Sequence, residues 1–501
     1  MPALDPAFLD IPLDRLAETA LSRARDLGAA HADFRLECVR YQTLSARDGQ
    51  IQGTDDDSDL GFAVRVLLNG VWGFAATTSL SHDGAVNVAE RAVRVAQVAA
   101  PMTRRRVSLA PEPVHRGTWV SAYDINPFEV PHHDKSALLC DWTARLLANP
   151  EVEHAAGSLE LVQENKFYAD LAGSHLIQQR VRVQPHLEVF GSWQDRFDSM
   201  ASIAAPVGQG WEYLIGGYDF DDEIAQLPIL LAEKLRAPSV QAGTYDLVIH
   251  PSNLWLTIHE SIGHATELDR ALGYEANYAG SSFATPDKLG TLVYGSPLMN
   301  VTGDRTVPHG LATVGYDDEG VASQTWDIVK DGIFVGYQLD RPMAHEFGQR
   351  LNGGRSNGCA FADSPSHIPI QRMANVSLQP DPQGPDTDGL IAQVERGLYI
   401  VGDKSWSIDM QRYNFQFTGQ RAYLITDGNL DGQVRDFAYQ STTTDFWGSM
   451  SAVGGPQTTF MGGAFNCGKA QPGQVAAVSH SAPSALFRDI RILNTNEESA
   501  Q

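Results

Sequence analysis

The stretch 244-TYDLVIHPSNLWLTIHESIGHATELDR-270 joins a predicted strand directly to a predicted helix. Residues 244–250 are rich in β-branched, aromatic and aliphatic side chains, which is typical of a strand. The apolar run after them carries two histidines, with a glutamate immediately after the first, in the pattern H-E-x-x-x-H. We therefore expect a C-terminal domain to begin just before this strand, and its chemistry to lie on the helix.

The spacing of His259 and His264 decides whether they can share a metal ion. Residues five apart on a regular α-helix are about 140° apart around the axis, so the two imidazoles would point in different directions. A π-bulge brings residues i and i+5 onto one face, and such bulges cluster at functional sites. Fraying of the helix at Gly263 would have the same effect. A metal site therefore requires a distorted helix; the alternative is one capped histidine and one surface histidine.

A zinc hydrolase needs three protein ligands and an open fourth position. The residues leave the third ligand open among carboxylates, histidines and thiols: Glu267, Asp269, His309, His367, Cys359 and Cys467. Cys467 lies in the glycine-rich stretch 462-GGAFNCGKAQPGQ-474, where Lys469 would favour the thiolate. Its alternative role is that of a small buried apolar residue. Glu260, beside a presumed ligand, is placed to move protons, or else is an exposed helix carboxylate.

The N-terminal half predicts helices alternating with β-hairpins. A helix over residues 13–28 ends at Gly28, and hairpins turn at Asp48-Gly49 and Asn69-Gly70. A later helix, which we expect Pro228 to break, ends at Ala237-Pro238. These patterns indicate an N-terminal α+β domain with hairpins and amphipathic helices, over residues 1–238.

The C-terminal half, residues 239–501, predicts a mostly antiparallel β domain that carries the histidine helix. Turn signals recur at residues 317–320, 330–332 and 427–429, with β-rich segments between them. Tyr316, Asp317 and Asp318 are interpreted as turn residues. The predicted fold class of the whole chain is α+β.

Composition excludes some partners and is ordinary in other respects. The 37 basic and 61 acidic residues give a formal charge of -24, which argues against non-specific binding of nucleic acid or an anionic membrane. The N-terminal residues lack the pattern of a signal peptide, and no apolar run reaches the length of a membrane helix. The four cysteines form no C-x-x-C pair. We therefore expect a cytoplasmic protein with reduced thiols.

Several motifs together resemble those of the TldD/PmbA family of metallopeptidases. They are HESIGHATELD at 259–269, GFAVRV and NGVWGFA between 61 and 75, YDDEG at 316–320, IVKDGIFVGY at 328–337, PIQRMAN at 369–375, AYLITDG at 422–428 and NCGK at 466–469. The resemblance covers nearly the whole chain. Because the histidine motif is present, the chain resembles the metal-binding TldD-like type rather than the PmbA-like (TldE-like) type, which lacks it.

The resemblance implies a specific site and activity. Its zinc ligands would be His259, His264 and Cys467, with one Zn2+ per chain and Glu260 as general base. It implies hydrolysis of unfolded or flexible peptides, either to mature peptide natural products or to degrade small unstructured proteins. The substrate would bind largely by backbone pairing inside a closed chamber formed by two subunits. The second subunit would be a PmbA-like chain or a second copy of this chain.

Two segments depart from the pattern of the family. Residues 401–410, VGDKSWSIDM, lack its run of glycines, and 474-QVAAVSHSAPSALF-487 lacks its usual glycine spacing. Both departures bear on the shape of a peptide channel. Arg355 and Arg372 are candidates to bind substrate carbonyls or a terminal carboxylate, or else structural partners of acidic loops.

Two other functions are compatible with the sequence. One is a non-catalytic peptide-binding or scaffold subunit with a structural metal, which would need a fourth protein ligand. The other is a biosynthetic amide hydrolase. Glu260 favours catalysis, because a structural site has no use for a proton-transfer group.

Overall fold

The computed structural model describes residues 3–347 and 351–498, and it confirms an α+β fold. One large sheet is built from residues 31–201 and a second from residues 243–494. The division into domains at residue 238 stays a prediction. In the described ranges, no helix is long and apolar enough to cross a membrane.

The first sheet has seven strands in the order β3-β2-β1-β5-β6-β4, with β7 paired to β6. Their bounds are β1 (His31–Arg47), β2 (Gln50–Leu68), β3 (Val71–Thr77), β4 (Arg116–Val120), β5 (His154–Asp170), β6 (His175–Trp193) and β7 (Arg196–Ala201). The turns at Asp48-Gly49 and Asn69-Gly70 lie where predicted, and all four residues have positive φ. We expected two separate hairpins there. The structure instead has one three-stranded meander, because β2 continues through the polar run at 55–58 and connects the first turn to the second.

Helices cover one face of this sheet. They are α1 (Pro6–Leu9), α2 (Leu13–Asp26), α3 (His82–Ala99), α4 (His132–Leu147) and α5 (Phe220–Arg236). α2 and α3 form one apolar core with β1–β3, and α4 and α5 form another with β5 and β6. The expected break at Pro228 is wrong: α5 is continuous, and Pro228 is buried on its apolar face together with Leu227 and Leu231. Burial of that face offsets the backbone hydrogen bond that proline removes.

The opposite face of the sheet is charged and contacts the C-terminal half. Lys166 Nζ donates to Asp318 Oδ2 at 2.7 Å, and Arg65 Nη1 donates to Glu319 Oε1 at 3.0 Å. All four side chains are nearly inaccessible to solvent. The acidic turn at 317–320 therefore joins the two halves through buried ion pairs, and it is a turn as predicted.

The second large sheet closes on itself as a small barrel. Its order is β15-β8-β22-β18-β16, β16 pairs back with β15, and β17 and β19 extend it. The bounds are β8 (Gly243–Ile249), β15 (Arg396–Ile408), β16 (Asn414–Thr426), β17 (Asn429–Val434), β18 (Phe437–Thr442), β19 (Met450–Val453) and β22 (Ala485–Asn494). The pairing is antiparallel except between β15 and β8.

Smaller sheets and short helices complete the C-terminal half. The strands are β9 (Val301–Asp304), β10 (Thr325–Lys330), β11 (Ile333–Phe334), β12 (Ala360–Phe361), β13 (Ile370–Gln371), β14 (Asn375–Leu378), β20 (Phe460–Lys469) and β21 (Gln474–Ala482). The helices are α6 (Pro251–Ile258), α7 (Leu268–Ala271), α8 (Arg341–Phe347), α9 (Thr387–Ile391), α10 (Thr443–Gly448) and α11 (Thr495–Glu498). The pair β20–β21 packs against α6, so a hairpin and a helix meet where the histidines lie.

His250 begins α6 and directs it from the end of β8. Its Nδ1 accepts a hydrogen bond from the backbone N–H of Ser252 at 3.1 Å, and Pro251 occupies the first helical turn, where no N–H is needed. Burial, together with the charge of Arg421, lowers the pKa of His250 from 6.5 to about 4.

We expect this histidine to make the metal-free protein less stable in acid. Between pH 6.5 and 4 the unfolded chain binds a proton at His250 that the folded chain excludes, so stability falls as the pH falls through this window. At pH 4.5, proton binding by the unfolded chain at His250 lowers the free energy of unfolding by about 2 to 3 kcal/mol. In His250→Asn the amide still caps the helix but does not titrate. Urea unfolding of the metal-free proteins at pH 7 and pH 4.5 measures the difference. Equal acid sensitivity of the two proteins would show that His250 is not the group responsible.

Candidate metal centre

The helix that carries the histidines is distorted at the predicted place. α6 ends at Ile258, residues His259–Gly263 form one π-helical turn, and the backbone N–H of His264 donates to the carbonyl of His259. The two imidazole rings consequently lie next to each other, edge to face, with centroids 4.7 Å apart. Gly263 permits this packing, since a Cβ there would lie 2.5 Å from Met373 Sδ. Of the two distortions that the spacing allowed, the structure has the π-turn.

A cysteine from β20 completes a group of three side chains that could hold a metal ion. Cys467 Sγ lies 3.5 Å from His264 Nε2, and one donor atom from each of His259, His264 and Cys467 lies within 4.8 Å of the others. Sulfur and nitrogen ligands at about 2.3 and 2.0 Å from a tetrahedral zinc ion are about 3.5 Å apart. All three side chains are buried. The donor set and its spacing therefore fit a zinc ion.

The surroundings favour the protonation states that bind metals. Burial lowers the pKa of both His259 and His264, which keeps the imidazoles neutral. Burial alone would raise the pKa of the Cys467 thiol, but neighbouring His264, its hydrogen bond and the charge of Arg372 together lower it. Neutral imidazole and thiolate are the forms that coordinate a metal.

The two carboxylates that were candidate ligands, Glu267 and Asp269, are not part of the cluster and bind side chains at or beside it instead. Glu267 Oε2 is 2.9 Å from His264 Nδ1, so the ring donates this hydrogen and keeps Nε2 free. Burial opposes the ionisation of Glu267, yet Lys469 and Arg270 hold its pKa well below the usual range. Lys469, which we expected to act on the thiol, donates to Glu267 and to Asp269. A ligand histidine oriented by a carboxylate is a common arrangement in metal sites.

The remaining candidate ligands lie elsewhere in the chain. His367 Nδ1 is within 2.6 Å of Asp363 Oδ1, and Cys359 Sγ donates to Asn357 Oδ1 at 3.3 Å. Burial raises the pKa of Cys359 to about 12, so it stays protonated. Among the described residues, His259, His264 and Cys467 form the one group with metal-binding spacing.

Glu260 is paired with an arginine that sequence reasoning missed. Arg412 Nη1 donates to Glu260 Oε2, and Arg412 Nη2 donates to the carbonyl of Ala279 at 3.2 Å. Both side chains are largely buried. Arg412 lies two residues after the segment 401–410, whose departure from the family pattern was the one signal pointing to this position.

A third histidine, also missed, contacts the site. His480 Nε2 lies 2.8 Å from His259 Nδ1, and His480 Nδ1 lies 2.8 Å from the carbonyl oxygen of Val376. The side chain is fully buried on β21. Burial, with the neighbouring His259 second, holds the pKa of His480 well below its usual range. This residue lies in the other departing segment, 474–487.

The two arginines considered as substrate ligands differ in their surroundings. Arg372 is buried and donates to the backbone carbonyls of Cys467 and Gln474, which holds the β20–β21 hairpin in place. Arg355 is half exposed and lies 3.9 Å from Glu112. These contacts favour a structural role for Arg372, and a role of either residue in substrate binding stays a prediction.

Known proteins resemble the chain over most of its length. It is 24% identical to a metalloprotease of Methanocaldococcus jannaschii, over 84% of this chain and 89% of that protein. It is 25% identical to the metalloprotease TldD homolog of Haemophilus influenzae, over 93% of each chain. It is 22% identical to the zinc metalloprotease TldD homolog of Saccharolobus solfataricus, over 94% of this chain and 98% of that one.

Solved structures show the same fold. A Thermotoga maritima protein, described as a proposed modulator of a DNA gyrase, superposes with a TM-score of 0.74 at 15% identity, over 96% of this chain and 99% of that one. TldE of Thermococcus kodakarensis superposes with a TM-score of 0.69 at 17% identity, over 95% of this chain and 99% of that one.

Two family models match the sequence itself. The model for domain 1 of the PmbA/TldA metallopeptidases matches residues 32–96, which span β1 to α3. The model for the C-terminal domain of these enzymes matches residues 242–494, just over half of the chain and all three side chains of the cluster. On this match we conclude that the chain belongs to the TldD/PmbA family of metallopeptidases.

Proposed function

We propose that the protein is a zinc-dependent peptidase of unfolded or flexible peptides, with His259, His264 and Cys467 as the ligands of one zinc ion per chain. The observation that carries this proposal is the convergence of three donor atoms within 4.8 Å of one another. Two imidazoles and a thiolate are donors that zinc accepts, and three protein ligands leave a position open, as in catalytic sites. The name of the S. solfataricus relative supports the choice of metal.

In the proposed reaction, Glu260 and Arg412 have different roles beside the metal. A zinc ion held there supplies polarisation of the scissile carbonyl and a lowered pKa of water. Glu260 accepts the proton of the attacking water and delivers it to the leaving nitrogen. Arg412 holds the Glu260 carboxylate in one orientation, because its second nitrogen is anchored on the carbonyl of Ala279.

We propose that the peptide binds as an added strand along β20. In the described part of the chain β20 pairs with β21 only, so its other backbone edge has no strand partner. A cleft of about 310 Å³ lies beside residues 462–466 of this strand and is also lined by Trp255 and Asp403. Backbone pairing depends little on side chains, which suits both the maturation of peptides and the degradation of small unstructured proteins.

We further propose that a second subunit closes the site, either a PmbA-like chain or another copy of this chain. Four large side chains, each more than half exposed, support this: Tyr274, Tyr278, Trp406 and Met410. The backbone N–H of Ser281 donates to the carbonyl of Met410 at 2.7 Å. The segment that follows Tyr278 therefore lies beside the segment that ends at Met410, next to Arg412. Exposed apolar groups collected in this way mark contact surfaces.

The proposed function is tested by removing and restoring the metal. The purified chain is assayed on fluorescently labelled casein, an unfolded substrate, alone at increasing concentration and mixed with a PmbA-like chain. We expect hydrolysis in at least one arrangement, its loss after dialysis against a chelator, and its recovery with about one equivalent of zinc per chain.

Two results would contradict the proposal in different ways. Hydrolysis that persists after complete removal of metal would exclude the zinc mechanism. Zinc bound without hydrolysis in any arrangement would instead favour a peptide-binding subunit with a structural metal.

A further inference from the structure

We propose that His480 is a positioning residue that fixes the tautomer of His259 and thereby keeps Nε2 of His259 free to bind the metal. This inference rests on the proposed zinc site. His480 is not one of the three side chains of the cluster. Its Nε2 lies 2.8 Å from Nδ1 of His259, the ring nitrogen that would not bind the metal.

The hydrogen-bond partners determine which nitrogens carry hydrogen. The carbonyl of Val376 can only accept, so His480 Nδ1, at 2.8 Å from it, carries the hydrogen of the neutral ring. His480 Nε2 is then an acceptor, and His259 Nδ1 must donate to it. A neutral imidazole has a single N–H, so His259 Nε2 is left with a lone pair. The order of donors thus runs from His259 through His480 to the backbone.

The two ligand histidines reach the same tautomer through different partners. His264 Nδ1 donates to the carboxylate of Glu267, which is itself neutralised by Lys469 and Arg270. His259 donates to a neutral ring, which adds no charge to the buried site. A neutral polar group is costly to bury only when it lacks hydrogen bonds, and the His480 ring has a partner at each nitrogen.

The His480 ring stacks on a side chain that is itself hydrogen-bonded. Its ring lies nearly parallel to that of Trp255, with 8° between the planes, and Trp255 Nε1 donates to Asp403 at 3.0 Å. His480 and Cys467 lie on the two strands of one hairpin, β21 and β20. The β20–β21 hairpin therefore supplies Cys467 to the cluster and, through His480, orients His259 at the end of α6. The relative position of the hairpin and the helix thus determines the geometry of the site.

Zinc affinity of substituted proteins tests this role. In His480→Gln the amide oxygen reaches about the place of Nε2 and still accepts from His259. In His480→Asn the shorter amide still donates to Val376 but does not reach His259, and His480→Phe keeps a flat ring with neither partner. We expect zinc dissociation constants, measured by competition with a chromophoric chelator at one pH, to rise about 10- to 100-fold in the Asn and Phe variants. The Gln variant should stay within about threefold of the unsubstituted protein.

Controls separate positioning from a general loss of structure. Thermal unfolding of the metal-free Asn and Gln variants should be similar, and His367→Asn, outside the cluster, should leave zinc affinity unchanged. Unchanged affinity in all three His480 variants, or a loss in Gln equal to that in Asn, would overturn the inference while leaving the proposed function intact. Absence of zinc binding by the unsubstituted protein would overturn both.

Discussion

Replacing Glu260 by glutamine should lower the kcat of peptide hydrolysis by about 10²- to 10⁴-fold while zinc stays bound, because proton transfer by a positioned group contributes a factor of this size. Glutamine has nearly the same shape and can still accept the hydrogen bond that Arg412 donates. It cannot accept a proton from water. The measurements are kcat on labelled casein and the zinc content of the same sample.

The matched control is Glu90→Gln, which makes the same change on a helix of the N-terminal half, where Glu90 pairs with Arg23. It should leave both quantities unchanged. An E260Q protein that retains most of its activity would show that another group transfers the proton. Loss of zinc together with activity would mean that Glu260 supports the metal rather than the reaction.

Replacing His264 or Cys467 by alanine should abolish stoichiometric zinc binding, because two protein ligands hold zinc far more weakly than three. Ligand binding stabilises a folded protein by RT ln(1 + [L]/Kd), which is about 4 kcal/mol at a thousand times Kd. Zinc should therefore raise the unfolding temperature of the unsubstituted protein and leave that of either variant unmoved. Zinc content after gel filtration, and thermal unfolding with and without zinc, measure the effect.

The controls are the residues that sequence alone could not distinguish from Cys467. Cys359→Ala removes a buried thiol that contacts Asn357, and His367→Ala removes a histidine paired with Asp363. Both variants should retain one zinc per chain. Full zinc binding by the Cys467→Ala protein would instead assign the third ligand to another group and contradict the proposed site.

Local patterns were sufficient for much of the fold. The turns at Asp48-Gly49 and Asn69-Gly70 were predictable because both positions of such turns need positive φ, which these residues tolerate. The prediction of a helix break at Pro228 was wrong, because the free energy gained by burying the surrounding apolar face outweighs the loss of one backbone hydrogen bond. The two expected hairpins form one meander because the polar run at 55–58 stays extended, through its pairing with residues 40–43 of β1.

The sequence by itself determined that His259 and His264 can share a metal ion only on a distorted helix. A metal can reach residues five apart only if the helix is wound differently, and this is a property of spacing alone. The π-turn at His259–Gly263 provides the winding that a shared metal would require. The third ligand was not determined in this way. Six side chains were open, and Cys467 was preferred only through family resemblance, since 203 residues separate it from His264.

Only the tertiary structure decided what surrounds the cluster. Arg412 pairs with Glu260 across 152 positions of sequence, and His480 contacts His259 across 221. Glu267 is close in sequence, yet whether it binds a metal or orients His264 depends on where Lys469 approaches it. Sequence patterns report on residues that share a helix or a turn. Which hydrogen-bond partner fills a buried position depends on how the β20–β21 hairpin packs against α6, and that is a property of the folded chain.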